Sequence, residues 1–390
     1  MNVKAVDGRN AVGFTLVELL VSLAVVSIIL VIGTQMVNNV SRLATQTRAR
    51  VETFQEARAA YESMTRKLSQ AMLNTYWDYD YPNGDHTKPP SAYARQSELH
   101  FICSPSRNGD SKGSILKPVS TIQTTGHAVF FQAPQGYSSP LSTKNQPKNL
   151  PNLASLLNAS GFYLDYASDI NDRPDFLKSA TVPAERWRFR LMELEEPTES
   201  LQIYFNGTTA GKLNSWFLDP VTKSSTIPLP PNTPLSVRMM AENVVEMVLL
   251  PHRSPNDTPT ASRAPQQLAP QYIYDSRRYL STPSDPVAQL WRNQLPPLIQ
   301  VTMVVLDEKS AARLRDSLPD KTVIPIHALQ LDKLFIKPSS DPNVTATSST
   351  LNDQYFADLA TLEATLTRQK LTYRVFTSDV SILQAKWSED

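Results

Sequence analysis

Glu18 is the side chain of this sequence with the most definite chemical task. It carries the only charge in the apolar run Phe14–Gly33. A carboxylate inside a membrane-length apolar segment costs about 2.5–3.5 kcal/mol at a helix centre, so its presence implies a partner that neutralises it. The nearest candidate is a free amine made by cutting before Phe14. The chemistry this suggests is charge pairing between that amine and Glu18. Catalytic patterns do not appear elsewhere. The five histidines, His86, His100, His127, His252 and His327, show neither H-E-x-x-H nor close metal spacing. No G-x-S-x-G elbow or Gly-rich phosphate loop is present, and 11 glycines in 390 residues argue against backbone-cradle sites. No catalytic residue, cofactor or metal ligand is assigned, and the reading is of a non-enzyme.

Several weaker constellations have a structural and a functional reading. Asp78, Asp80 and Asp85 are loosely spaced like a calcium loop, but Pro82 and the late Gly84 break the pattern, and a solvated turn is expected. Asp169, Asn171, Asp172 and Asp175 form a second acidic cluster of the same kind. Tyr76, Trp77, Tyr79 and Tyr81 read as packing under a helix exit, with a ligand platform as the alternative. Arg186, Arg188 and Arg190 alternate with Trp187, Phe189 and Leu191, so a strand would put arginines on one face and apolar groups on the other. That face is expected to be solvated and paired with Glu193, Glu195 or Glu196, with an anion-binding strip as the alternative. His100 and His127 fall in strand candidates and read as satisfied strand residues. Cys103, the only cysteine, allows no intramolecular disulfide and reads as a small core residue.

The elements that must position these groups follow from punctuation and periodicity. The run Phe14–Gly33 has 20 residues, enough to cross about 30 Å of hydrocarbon at about 1.5 Å per residue. Arg42, Arg48 and Arg50 follow it closely, so charge bias alone does not orient it. From Phe14 to Asn74 there is no proline, and after Gly13 the only glycine is Gly33. Val40, Leu43, Thr47, Val51, Phe54, Ala57, Tyr61, Met64, Leu68 and Met72 recur at steps of three or four, one face of a continuous helix over 14–74. That stripe suits docking on the protein's own sheet, with a coiled-coil seam as the alternative. All 30 prolines lie from Pro82 onward, and there the chain reads as short strands broken by loops. Strands are expected at Glu98–Cys103, His127–Ala133, Trp187–Glu193, Leu201–Phe205, Val244–Leu250, Leu298–Leu306 and Tyr373–Thr377. Helices are expected at Leu153–Leu157, at Glu308–Leu318 capped by Asp307, and at Asp353–Gln369. His252–Pro297 reads as a surface loop or partner-binding arm, and Ser339–Thr350 as a loop. The fold class is α+β: a long N-terminal helix packed on an antiparallel sheet head with proline-rich loops.

Composition bounds the partners. The 38 Lys+Arg against 37 Asp+Glu leave no nucleic-acid footprint in bulk, and a 41% hydrophobic fraction supports a packed core.

Gly13-Phe14-Thr15-Leu16-Val17-Glu18 followed by an apolar helix resembles the class III signal of type IV pilins and type II secretion pseudopilins. The resemblance implies that a prepilin peptidase cuts after Gly13 and methylates Phe14, and that Glu18 neutralises the terminal amine of a neighbouring subunit during assembly. Met1–Gly13, with Lys4, Arg9 and Asp7, then reads as a leader: short and polar, unlike a secretory signal with its apolar region before the cut. The peptidase acts at the cytoplasmic face, so the bulk of the chain is expected to face outward.

Asn243–Leu250, then Leu295-Pro296-Pro297 and Leu298–Glu308, is similar to the J-type minor pseudopilins. Glu185–Arg190, Tyr274-Asp275-Ser276, Tyr373–Phe376 and Ala385–Ser388 bring the pattern closer to Verru-Chthon cassette protein C, a prepilin-like family. The expected organisation is a leader over 1–13, a long helix over 14–74 with its transmembrane part at 14–34, and a periplasmic head over 75–390. Expected partners are prepilin peptidase, other pilin-like subunits and the inner membrane, which the chain spans once. The expected function is a structural subunit, minor or tip, of a pilus- or pseudopilus-like fibre, with a J-like type II secretion subunit as a variant of it. The competing class is a membrane-tethered periplasmic enzyme or ligand-binding protein.

Overall fold

A computed structural model describes residues 15–81, 85–106, 114–116, 122–138, 155–170, 173–178, 185–206, 212–225, 236–254, 268–269, 272–336 and 348–387. Helices are α1 (Leu16–Ser69), α2 (Asp175–Lys178), α3 (Ile203–Asn206), α4 (Ser215–Ser225), α5 (Pro286–Leu290), α6 (Glu308–Asp316) and α7 (Ser348–Arg368). Strands are β1 (Tyr76–Asp80), β2 (Ala92–Gln96), β3 (Ile102–Pro105), β4 (His127–Pro134), β5 (Leu157–Ser168), β6 (Trp187–Glu196), β7 (Val237–Glu242), β8 (Val244–His252), β9 (Tyr274–Asp275), β10 (Leu298–Leu306) and β11 (Tyr373–Ser381). The architecture is α+β, a long apolar N-terminal helix followed by antiparallel sheets, an arrangement consistent with a pilin-like fold.

The chain divides into two compact units, Met1–Glu52 and Thr53–Asp390. In the first, α1 exposes its large apolar side chains from Leu16 through Leu43. Among the described residues α1 is the one helix long and apolar enough to cross a membrane. Its few hydroxyls are satisfied within the helix, because lipid offers no alternative partner. Ser22, Ser27 and Thr34 donate to the carbonyls of Leu19, Leu23 and Leu30 at 2.9, 2.7 and 2.7 Å.

In the second unit the apolar stripe of α1 is covered. Ala57, Ala60, Tyr61, Met64 and Leu68 are buried, with Phe54 packed against the same core. The helix docks on this protein's own sheets, as its periodicity predicts, and ends at Ser69, short of Asn74. Two sheets meet the stripe. One has six antiparallel strands in the order β7-β6-β5-β4-β3-β9, the other three in the order β11-β10-β8. Phe131, Leu164 and Leu191 of the first sheet and Val301, Met303 and Val305 of the second share one core with α1. The opposite face of the six-stranded sheet, with Phe130 and Tyr163, is covered by Trp216 and Phe217 of α4. The opposite face of the three-stranded sheet, with Val304 and Leu306, is covered by Leu314 of α6 and Tyr355, Leu362 and Leu366 of α7. Strands buried on both faces read as continuous apolar runs, which is why β8 and β10 stand out in the sequence.

Three expectations are corrected. Leu201–Phe205 is not a strand; Ile203–Asn206 is helical, and buried Leu201 and Ile203 pack with α4 against the six-stranded sheet. The helix expected at Leu153–Leu157 falls partly outside the described residues, and Leu157 opens strand β5. The described part of the His252–Pro297 excursion is no surface arm. Leu268, Tyr274, Trp291 and Leu295 are buried in the core shared with α1, and β9 pairs with β3 at the sheet edge. Of Ser339–Thr350, residues up to 347 lie outside the described residues, and Ser348 opens α7. Asp307 caps α6 as expected, accepting from the Ser310 N–H at 2.8 Å.

Strand β5 depends on Gly161. A Cβ built there would lie 2.1 Å from the Phe130 ring and 3.0 Å from the Val129 carbonyl oxygen, so the ring crosses the strand where no side chain can fit. Gly161→Ala is expected to destabilise the chain by about 1–3 kcal/mol through overpacking, and Phe130→Leu in the same chain should recover part of the loss. Thermal unfolding of the detergent-solubilised variants measures both; a neutral Gly161→Ala would refute the close approach.

Candidate assembly segment and head chemistry

Gly13 and Phe14 lie outside the described residues. Glu18 stands in the first turn of α1. There Thr15 and Glu18 cap each other. The Glu18 N–H donates to the Thr15 hydroxyl oxygen at 3.3 Å, while Glu18 Oε2 accepts from the Thr15 N–H at 3.3 Å and from its hydroxyl at 3.2 Å. This is a capping box: two amides that have no partner inside a helix are satisfied reciprocally. The carboxylate also sits at the positive end of the helix dipole. Thr15-x-x-Glu18 is the sequence signature of such a box, and reading Glu18 only as a buried charge misses it. Glu18 therefore has a use inside its own chain. All three contacts involve either Oε2 or the residue's own amide, so Oε1 has no intrachain partner among the described residues.

Among the described residues of the head, the acidic clusters form no comparable constellation. Among the described residues no group of three His, Cys, Asp or Glu could hold a metal ion. Asp80 pairs with Arg292 at 2.9 Å and Asp85 with Lys88 at 3.3 Å, so these acids do not converge. In the second acidic cluster, Asn171 and Asp172 lie outside the described residues, and Asp169 is taken by Arg173 at 2.9 Å and Arg186 at 3.2 Å. Cys103 is fully buried, and burial pushes its thiol pKa far up.

The arginine strand departs from expectation. β6 runs through 187–196 as a strand; Arg186, just before it, stays exposed, but Arg188 and Arg190 are not solvated. Arg188 and Arg190 are 3% and 4% exposed. Arg188 donates to Glu308 at 2.7 Å and Arg186 to Asp169, in place of the nearby glutamates. The reason is α6, whose first residue Glu308 is set over the strand and also accepts from Asn243 at 3.0 Å. Burial alone would raise the Glu308 carboxyl; the bonds from Arg188 and Asn243 outweigh it and hold it below the usual range. Glu193 and Glu195 instead pair with Lys67 of α1, at 2.7 and 3.0 Å, and with Arg238 of β7, at 2.7 and 2.9 Å.

The aromatic run also departs from expectation. Tyr76, Trp77 and Tyr79 do not pack under the helix exit; they belong to the β1–β2 hairpin and are about half exposed.

Both histidines are satisfied, although β3 begins only at Ile102 and His100 precedes it. His100 accepts from the Trp216 indole N–H at 3.2 Å through Nδ1 and meets Asp275 at 2.7 Å through Nε2. Both ring nitrogens are occupied, so no nucleophile can be activated through it. His127 Nδ1 accepts from the Leu249 N–H at 3.1 Å, and its Nε2–H donates to the Phe335 carbonyl at 2.9 Å.

Residues 9–34 match the family described as the prokaryotic N-terminal methylation motif. The N-terminal segment is prepilin-like. The motif indicates a structural, pilin-type protein, implying in general terms processing by prepilin peptidase and assembly with other pilins. The helix it opens fits a single-pass membrane anchor of the prepilin kind. No curated protein and no solved structure matches the chain.

Buried His127 gives the head a pH signature. Burial, opposed by its two backbone hydrogen bonds, lowers its pKa from 6.5 to about 4. The unfolded chain takes up the proton below pH 6.5 and the folded chain refuses it until about pH 4. Stability present above pH 6.5 is therefore lost as pH falls to about 4, by about 3 kcal/mol in all. Asp165, raised to about 7 by burial against the opposing Gln123 N–H and Arg190, acts in the opposite direction over the same window. The His127 contribution is thus read as a difference. The stability gap between the native chain and His127→Asn should shrink by about 3 kcal/mol between pH 7 and pH 4 in denaturant titrations. A gap independent of pH would refute it.

Proposed function

We propose that the chain is a structural subunit, minor or tip, of a pilus- or pseudopilus-like fibre. The observation that carries this reading is the methylation motif over 9–34 at the start of an exposed apolar helix. The precursor inserts in the inner membrane through the apolar part of α1, with residues 1–13 as a cytoplasmic leader and the head in the periplasm. Prepilin peptidase cuts between Gly13 and Phe14 and methylates the new terminus. The apolar helix then packs against those of other subunits, and the Phe14 amine of one subunit pairs with Glu18 of another, an attraction strengthened by the low dielectric of the surroundings. The capping box survives the cut, because the Thr15 amide remains in the Phe14–Thr15 peptide bond. One carboxylate can thus cap its own helix through Oε2 while Oε1 meets a neighbour's ammonium. The bulk of the head favours a minor or tip position over a repeating shaft. Within the class, the head motifs from Asn243 to Glu308 favour a J-like minor pseudopilin or a subunit resembling Verru-Chthon cassette protein C.

Two outcomes are expected. Mass spectrometry of the native protein should find an N-terminal peptide beginning at methylated Phe14; a chain still carrying Met1–Gly13 defeats the reading. The second separates the two roles of Glu18. Glu18→Gln retains a capping-box residue but removes the charge, so it should insert and be processed yet fail to enter fibres. Thr15→Ala breaks the box but keeps the charge, so it should still assemble. Assembly of Glu18→Gln at the native level, scored in sheared fibre fractions, would sink the charge-pairing role.

A further inference from the structure

The second unit holds a cavity of about 480 Å³ whose wall includes Trp77, Arg95, Asn293, Gln294, Lys386 and Trp387. Its size falls in the range of small-ligand pockets. Among the described residues, two cationic side chains line it and no carboxylate does. Two buried polar atoms in its wall, Asn293 Oδ1 and Trp387 Nε1, have no hydrogen-bond partner. Asn293 is fully buried and its backbone is held at φ +51°, a conformation sparsely used outside glycine. Buried polar groups are nearly always paired, so an unpaired acceptor and donor in the wall of one cavity point to a ligand that supplies both.

The cavity continues onto an aromatic platform. In the β1–β2 hairpin Trp77 pairs with Arg95 and Tyr79 with Tyr93, which puts all four side chains on one face. Trp77, Tyr79 and Tyr93 remain 47%, 55% and 60% exposed. The Trp77 and Tyr93 rings stack at 5.7 Å, Tyr79 meets Tyr93 edge-on at 5.4 Å, and the Arg95 guanidinium lies 5.4 Å over Trp77. The hairpin is fixed from below. The Arg95 carbonyl accepts from Asn293 Nδ2 at 2.7 Å and from Arg292 Nε at 3.2 Å, while Arg292 also pairs with Asp80 at 2.9 Å. Platform and cavity are thus one pre-organised surface, not a loose flap.

We propose that this surface binds an acidic saccharide, a chain of sugar rings bearing carboxylates. The C–H face of a pyranose lies flat on an indole or phenol ring, which the exposed platform offers. A sugar hydroxyl donates and accepts at once, so one ring edge serves both Asn293 Oδ1 and the Trp387 N–H. Exposed Lys386 supplies charge for the carboxylate, and no acid among the described lining residues repels it. An acidic peptide would satisfy the cations but brings no ring for the platform. The proposal is independent of the fibre reading, since it uses none of the N-terminal residues.

The test titrates oligogalacturonate into the full detergent-solubilised chain, read by tryptophan fluorescence and saturation-transfer NMR. Saturable, salt-sensitive binding is expected. The fully methyl-esterified oligomer, Trp77→Ala and Lys386→Gln should each weaken it about tenfold or more, with far-UV circular dichroism unchanged for both exposed-site variants. No saturation at about 10 mM, a range reserved for very weak complexes, overturns the proposal. So does equal binding of the neutral ester, unchanged affinity in both variants, or tighter binding of oligoglutamate.

Discussion

The head is organised by one constraint: a single face of α1 from Phe54 onward must be buried, and one layer of strands cannot cover it. Small residues make close approach possible. Ala57 and Ala60 let backbone and sheet come together, and Met64 and Leu68 fill the space between. Tyr61 adds direction. Its hydroxyl donates to the Val301 carbonyl at 2.8 Å and lies 2.8 Å from the Ser378 hydroxyl, fixing the helix against β10 and β11 together. Once that core is shared by α1 and two sheets, each sheet still has an apolar outer face. The chain spends α3 and α4 on one and α6 and α7 on the other. The layer order follows from the need to finish burying strands that are apolar on both sides.

The same helix is treated in an opposite way before Glu52. There the large apolar side chains are exposed, and the hydroxyls fold back on their own helix. A segment that turns its hydroxyls back on its own helix and leaves its apolar surface bare is suited to lipid or to other such helices. Glu18 fits this logic once Thr15 is considered with it. The carboxylate satisfies the Thr15 amide, which would otherwise be stranded at a helix start, and this lowers the cost of carrying it in an apolar segment.

Much of this was legible in the residues. The N-terminal signal, the three- and four-residue spacing of the stripe, the unbroken strands β8 and β10 and the Asp307 cap all depend on local pattern, and local pattern is what a sequence displays. The misses share one cause: the deciding partner is distant. Gly161 shows why it must be glycine only when the Phe130 ring is placed across it. Pro220 argues against a helix, yet α4 forms because Trp216 and Phe217 plug the outer face of the six-stranded sheet. The Pro- and Ser-rich stretch after His252 looks like a loop, but it delivers Tyr274 and Trp291 to the core. The aromatic platform was visible as a run of Tyr and Trp. Its cavity was not, because Asn293 and Trp387 join it from the far end of the chain.

The buried charges of β6 have a role that their energetics alone would not suggest. Glu193 is fully buried between Lys67 and Arg238, and a buried ion pair gains little over an apolar pair of equal volume. Its value lies in register. Leu191 and Glu193 share the face that looks on α1, whereas Leu194 looks on α4. A slip of β6 by one residue reverses every side chain. Glu193 would then enter the aromatic core around Phe217, and Lys67 would lose its partner. Arg188 imposes the same condition from the other end of the strand, where Glu308 waits on α6. A misaligned strand thus leaves isolated buried charges, each costing several kcal/mol, so the pairs act mainly against wrong alignments. The six-stranded sheet needs such a device because its apolar residues alternate almost equally on both faces, and burial alone discriminates weakly between them.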